Sequence, residues 1–228
     1  MTNTDFIPYA RQWIDEDDIQ AVAEVLRSVS LTTGPAVATF GEEVAKVAGT
    51  KYAVAIANGT AALHAAVAAA GIGPGDEVIT SPITFVASAN CALYVGATPV
   101  FADIDPRTYN LDPADVERKI TPRTKAIIPV HFTGQPCDMS RLREIAKQYG
   151  LLLIADGAHA IGALYQGRPV GEFADMTTFS FHPVKQVCTG EGGAISTDSD
   201  KYNDRMTWFR SHGITRDPKQ FRYGNQPW

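Results

Sequence analysis

Residues 177–195 read TTFSFHPVKQVCTGEGGAI. From Thr178 to Phe181, hydroxyl and aromatic side chains alternate, the period-two pattern of a strand with one buried face. Pro183 has no N–H to donate and ends the ladder. Lys185 follows two residues later, and then the turn Gly190, Glu191, Gly192, Gly193. A lysine tethered between a strand end and a tight glycine turn is held in place. When buried it can lose its proton and attack a carbonyl carbon, the chemistry of Schiff-base enzymes. Alone, the pattern is more often a solvated loop lysine beside an ordinary turn, so the reading turns on what else the chain brings to it.

Two upstream stretches supply partners. Leu151 to Ile154 is a short continuous apolar run, the signature of a strand buried on both faces, and it leads into Ala155, Asp156, Gly157, Ala158 and His159. An acid at the carboxyl end of a buried parallel strand stands where open α/β sheets place their ligands; as a helix N-cap, Asp156 has an equally ordinary explanation. Tyr52 to Ala57 is a second apolar run, followed by Asn58, Gly59, Thr60 and an alanine-rich helix. Strand, glycine turn and helix N-terminus make a phosphate cup, because the free N–H groups and the helix dipole both favour an anion. Phosphate cup, strand-end aspartate and imine-forming lysine are together what a pyridoxal phosphate site requires.

A chain of 228 residues is long enough for one large α/β domain and short for two. Its 45% hydrophobic content and mean hydropathy of −0.10 are those of a soluble globular protein. A net charge of −5 without a basic run argues against nucleic-acid or anionic-membrane partners. Cys91, Cys137 and Cys188 have no paired spacing, which predicts reduced thiols, a cytoplasmic location and no zinc site. The N-terminus has no apolar core of a signal peptide, and no run approaches the ~20 apolar residues of a membrane span.

Read in order, Ile19, Val22, Leu26 and Val29 predict a helix with one apolar face behind the acidic turn at 15–18. Pro35 opens a second helix, with Val37, Phe40, Val44 and Val47 as its expected buried stripe. Then βα alternation begins. Strands are expected at 52–57, 77–81, 99–104, 126–131, 151–156, 177–181 and 194–197. Helices are expected at 60–70, 85–95, 114–120, 139–149 and 200–211. Such alternation predicts a mainly parallel sheet covered by helices.

NGTAAL at 58–63, TSPITFVASAN at 80–90, HFTGQPCDM at 131–139, DGAHA at 156–160 and FSFHPVKQVCTGEGGA at 179–194 together resemble the DegT-type sugar aminotransferases. These are fold-type I enzymes that use pyridoxal 5'-phosphate. The likeness covers nearly the whole chain in the family's order and spacing. It implies an α/β fold corresponding to the large domain of such an enzyme. Residues 1–212, including N-terminal helices within 1–50, would form this cofactor-binding domain, and 213–228 would begin a segment leading to a smaller domain. The resemblance further implies a homodimer in the full-length protein.

Residue by residue, the resemblance makes Lys185 the Schiff-base lysine and the acid–base group of transamination. Relatives with histidine there perform dehydration instead. Asp156 would pair with the pyridine nitrogen, His159 would approach the phenolic oxygen, and Phe85 would stack on the ring. Gly59, Thr60 and Ala61 would form the phosphate cup with the Ser180 hydroxyl, while His182 matches the family without an evident role. His64, His131 and His212 read as structural. HFTGQPCDM and SHGITRD resemble the branch that aminates a UDP-linked 4-keto-6-deoxy-N-acetylhexosamine on the route to pseudaminic acid, with glutamate as amino donor. Two other readings stand beside this one. The chain can be a catalytically incomplete cofactor-binding fragment. A nicotinamide-binding domain fits less well, because no G-x-G-x-x-G turn follows the first strand.

Overall fold

A computed structural model describes residues 7, 8 and 10–214. Nearly all of the segment expected to lead toward a second domain, and the second half of SHGITRD, lie outside the described residues. Helix α1 (Glu16–Arg27) begins with a capping box in which Asp15 accepts from the N–H groups of Asp17 and Asp18 while Asp18 accepts from Asp15. Its apolar positions form the expected helix but no buried face, with Leu26 66% and Val22 61% exposed. Of the expected stripe, helix α2 (Pro35–Ala48) buries Val44 and partly buries Phe40, while Val37 and Val47 are exposed and Gly41, Ala45 and Ala48 are buried in their place. The rotation follows from Gly41. A Cβ there would stand 2.6 Å from the Ala53 carbonyl oxygen, so the helix docks on its smallest residue.

The chain continues through β1 (Tyr52–Ile56), α3 (Gly59–Ala70), β2 (Glu77–Thr80), α4 (Ala87–Tyr94), β3 (Thr98–Phe101), α5 (Pro113–Lys119), β4 (Thr124–Ile128), α6 (Met139–Tyr149) and β5 (Leu152–Asp156). A small hairpin of β6 (Leu164–Tyr165) and β7 (Arg168–Pro169) precedes β8 (Met176–Ser180), β9 (Gly193–Thr197) and α7 (Asp200–Arg210). Strand β4 is shorter than expected at its end, because Pro129 interrupts the ladder before His131. Phe85 precedes α4 instead of opening it.

Seven strands form one sheet in the order β1-β9-β8-β5-β4-β2-β3. Strand β9 runs antiparallel to both its neighbours, β1 and β8, and the other pairings are parallel. Six strands therefore point one way and β9 alone opposes them. Alternation along the central strands sends Ala126, Ile128 and Ile154 to one face and Ile127, Leu153 and Ala155 to the other. The first face packs on α3, α4 and α7, where Ala62, Ala65, Ala66 and Ala92 let the helices lie close. The second packs on α5 and α6 through Val116, Leu142 and Ile145. A third cluster seats α2 on Phe179, Phe181 and Ala194. With both faces covered, the carboxyl edge of the sheet is where several strand ends open together.

Candidate active site

At that edge lies a cleft of about 680 Å³, lined by Asn58, Gly59 and Thr60 after β1, Thr84 and Phe85 after β2, and His131 after β4. Asp156, His159, Ser180, His182 and Lys185 complete it. The structure thus gathers segments more than a hundred residues apart in the chain. Of the nine candidate cofactor-site residues read from the sequence, only Ala61 does not line the cleft.

The first turn of α3 explains that exception. Asn58 is the N-cap, and its Oδ1 accepts from the Ala61 N–H at 2.8 Å. Ala61 is therefore already paired, and the expectation that it donates to a phosphate is corrected. The N–H groups of Gly59 and Thr60 have no intrahelical acceptor, as the first N–H groups of any helix lack one. Glycine is required at 59, since a Cβ there would stand 2.9 Å from Cβ of Ser180. Its absence brings the helix start and the Ser180 hydroxyl to one wall.

Asp156 ends β5 and is 5% exposed. No helix begins after it, so it is not a helix cap. Its Oδ1 accepts from the Ala158 N–H at 3.1 Å and its Oδ2 from the Ser88 hydroxyl at 2.6 Å. Lys185 sits in the turn after β8, whose backbone closes through the Lys185 N–H to the His182 carbonyl at 2.8 Å. The Val184 N–H meets Nδ1 of His182 at 3.4 Å, so His182 shapes the lysine's turn. Lys185 Nζ lies 2.5 Å from Nε2 of His159. Burial pushes the Lys185 ammonium below its ordinary range, and the charge of Asp156 acts the other way. The His159 imidazole is lowered chiefly by burial and then by the lysine's charge. Both shifts favour one shared proton in this pair over two. Gln186 Nε2 donates to the His159 carbonyl at 2.5 Å and ties the two loops together. Phe85 is 72% exposed at the cleft mouth, with its ring open to the space.

Sequence reasoning passed over His131, Ser88 and Gln186. The first had a signal, since it directly follows a strand on the same edge as Asp156, and its N–H donates to the Asp156 carbonyl at 3.0 Å. Its Nδ1 accepts from the Cys137 N–H at 3.3 Å, which leaves the proton on Nε2, and that atom is buried without a hydrogen-bond partner among the described residues. Burial depresses the His131 pKa to about 4, from an ordinary 6.5. The unfolded chain therefore binds a proton between these values that the folded chain refuses. Stability contributed by neutral His131 is complete above pH 6.5 and lost as pH falls toward 4, by about 3 kcal/mol. His131→Asn, which keeps an acceptor for Cys137, is expected to flatten that part of the stability–pH curve measured by urea unfolding. An unchanged slope would show that another group carries it.

Among the described residues no helix is long and apolar enough to cross a membrane, and no group of three or more His, Cys, Asp or Glu is arranged to hold a metal ion. Residues 12–226 match the model of the DegT/DnrJ/EryC1/StrS aminotransferase family. The spore coat polysaccharide biosynthesis protein SpsC of Bacillus subtilis is 47% identical over 92% of this chain and 54% of its own length. The chain thus spans about half the length of this curated relative. The PLP-form of a sugar aminotransferase, Spr1654 of Streptococcus pneumoniae, superposes with a TM-score of 0.87 at 34% identity, over 92% of this chain and 59% of that one. Helicobacter pylori PseC, an aminotransferase of pseudaminic acid biosynthesis, does so with a TM-score of 0.87 at 37% identity, over 92% and 57%. The seven-stranded frame, the residues gathered at its carboxyl edge and a family match running through them lead to one conclusion: this chain belongs to the DegT/DnrJ/EryC1/StrS aminotransferase family.

Proposed function

We propose that the cleft binds pyridoxal phosphate and that the chain is the cofactor-binding part of an aminotransferase acting on a nucleotide-linked keto-sugar. The observation that carries this reading is the convergence of Lys185, His159 and Asp156 beside the unpaired N–H groups of Gly59 and Thr60. The residues suit the cofactor's chemistry. Two N–H donors and the Ser180 hydroxyl suit a phosphate, a buried carboxylate suits a pyridinium, and His131 Nε2, buried without a hydrogen-bond partner among the described residues, is a further polar group in the wall. When bound, pyridoxal phosphate supplies an aldehyde carbon that takes up amines and a ring that withdraws electrons from them. Asp156 would hold the proton on the ring nitrogen, His159 would serve the phenolic oxygen, and Phe85 would cover a ring face. Lys185 would hold the cofactor through its Nζ and would carry the proton to and from the substrate carbon.

For the substrate we assign glutamate as donor and a UDP-linked 4-keto-6-deoxy-N-acetyl sugar as acceptor, the pseudaminic acid route, supported by the likeness to PseC. The greater identity to SpsC supports a related nucleotide-sugar destined for polysaccharide. Residues 1–212 act as the cofactor-binding large domain, and the remaining length of the relatives corresponds to a smaller domain reached through 213–228. Exposed Phe85 and Val184, which line the cleft, suit cover by a second copy in a homodimer. The unpaired Cys91, Cys137 and Cys188 suit the cytoplasm.

The test is amino transfer from glutamate to a panel of UDP-, GDP- and dTDP-linked keto-sugars. It is run on this chain and on one extended to the relatives' full length. The extended chain is expected to aminate at least one of them. The short chain is expected to bind the cofactor about ten- to a hundredfold more weakly, because the family resemblance implies one further charge-assisted hydrogen bond to the phosphate from the relatives' remaining length. If the extended chain aminates no sugar on the panel, the keto-sugar assignment is wrong.

A further inference from the structure

We infer that Thr84 and Ser88 form a polarised hydroxyl relay that orients Asp156, making Ser88 a positioning residue for the reaction. Ser88 lies on α4, is fully buried, and stands 68 positions before Asp156. Its Oγ is 2.6 Å from Asp156 Oδ2, 2.6 Å from Thr84 Oγ1 and 3.3 Å from the Phe85 carbonyl oxygen. One hydroxyl carries one proton. Asp156 and Thr84 are equally near, and the carboxylate is the charged acceptor, so that proton goes to Asp156. Ser88 Oγ is then left as an acceptor, and the Thr84 hydroxyl must be its donor. The order Thr84 to Ser88 to Asp156 follows from proton count and from the charge on the carboxylate.

The relay matters because of what else Asp156 meets. Its Oδ1 is engaged by the Ala158 N–H, so both carboxylate oxygens are anchored, one by backbone and one by a side chain. The plane of the carboxylate is thereby fixed toward the cleft. Thr84 lines that cleft, and a change at its hydroxyl reaches the buried acid through a single intermediate. The other titratable groups around Asp156 are Lys185 and His159 from the facing loops, Cys91 on α4, Cys137, and His131, whose backbone N–H holds the Asp156 carbonyl. Burial pushes both thiols up to about 12, with Asp156 adding to each, so neither brings a competing charge near neutral pH.

The role assigned to the relay rests on the proposed function, but its test does not. Carbon-13 NMR of aspartate carboxyls in the cofactor-free protein follows Asp156 directly, with its signal assigned by disappearance in Asp156→Asn. At neutral pH Ser88→Ala is expected to move that signal from its parent position, because the hydroxyl donor to Oδ2 is gone. Ser88→Thr keeps the hydroxyl and is expected to return the signal to the parent position, and Thr84→Val is expected to move it by less. An unmoved signal in folded Ser88→Ala overturns the relay, as does a Ser88→Thr shift equal to that of alanine. If Ser88→Ala does not fold, Thr84→Val decides, and no shift there overturns the proposal. Since no cofactor is added, a failed relay and a failed cofactor assignment give different results.

Discussion

Lys185→Ala is expected to lower amino transfer by about 10⁴-fold, the upper end of what a positioned acid–base group contributes. It is also expected to remove the covalent mark that borohydride fixes on the peptide containing residue 185. The expectation comes from geometry first. The side chain is half-buried, its turn is closed by the His182 carbonyl, and its Nζ is 2.5 Å from His159. Burial lowers its pKa from 10.5, so a larger share is uncharged at neutral pH than for a surface lysine, and an uncharged amine both attacks carbon and accepts a proton. Alanine takes away both functions, and the neighbouring His159 cannot supply the first, because an imidazole has no primary amine to form an imine. Cofactor affinity should fall less than turnover, because Gly59, Thr60 and Asp156 are untouched. The measurement is peptide mapping after reduction, with turnover on the full-length protein. A mark that stays on the same peptide, or turnover within tenfold of the parent, would remove Lys185 from its assigned role.

Much of this was legible in the residues because each signal was local. Proline and glycine positions marked where elements stop, and Gly49, Gly71 and Gly150 close α2, α3 and α6 at positive φ. Continuous apolar runs at β1 and β5 announced strands covered on both sides. The strand-end aspartate and the post-strand lysine then fell at one edge because parallel strands share it. What stayed hidden was non-local. That β9 runs antiparallel between β1 and β8 depends on pairing across the sheet, and a five-residue run of small side chains carries no direction. The face of α2 that is buried was decided by Gly41 meeting the Ala53 carbonyl, a contact no periodicity encodes. Ala61 looked free until the Asn58 cap claimed its N–H. Ser88 lies inside an apolar helix, where a serine has many ordinary explanations, and its bond to Asp156 exists only once α4 is laid beside β5.

Asp156→Asn is expected to slow amino transfer by about a hundredfold, from loss of a charge-assisted hydrogen bond worth up to ~3 kcal/mol. Lys185 can still be marked by borohydride in this variant, since the phosphate wall and the lysine are unchanged. The asymmetry separates it from Lys185→Ala. A second consequence follows from the contacts within the protein. Aspartate accepts from Ala158 on one oxygen and from Ser88 on the other. Asparagine has only one oxygen, so whichever way the amide turns, its NH₂ faces a donor. Either the Ala158 N–H is left unpaired, or the Ser88 hydroxyl accepts from the NH₂ and must send its proton to Thr84 or to the more distant Phe85 carbonyl, losing its bond to a charged acceptor. A buried donor without a partner costs about 1–3 kcal/mol, so the variant should unfold at lower urea concentration than the parent. The two readouts are independent. Rapid-mixing rates with glutamate report the lost charge, and the urea midpoint reports the broken anchor. A parent-like rate alongside a lowered midpoint would leave Asp156 a structural acid at a strand end, and the assignment of its charge to the cofactor would be withdrawn.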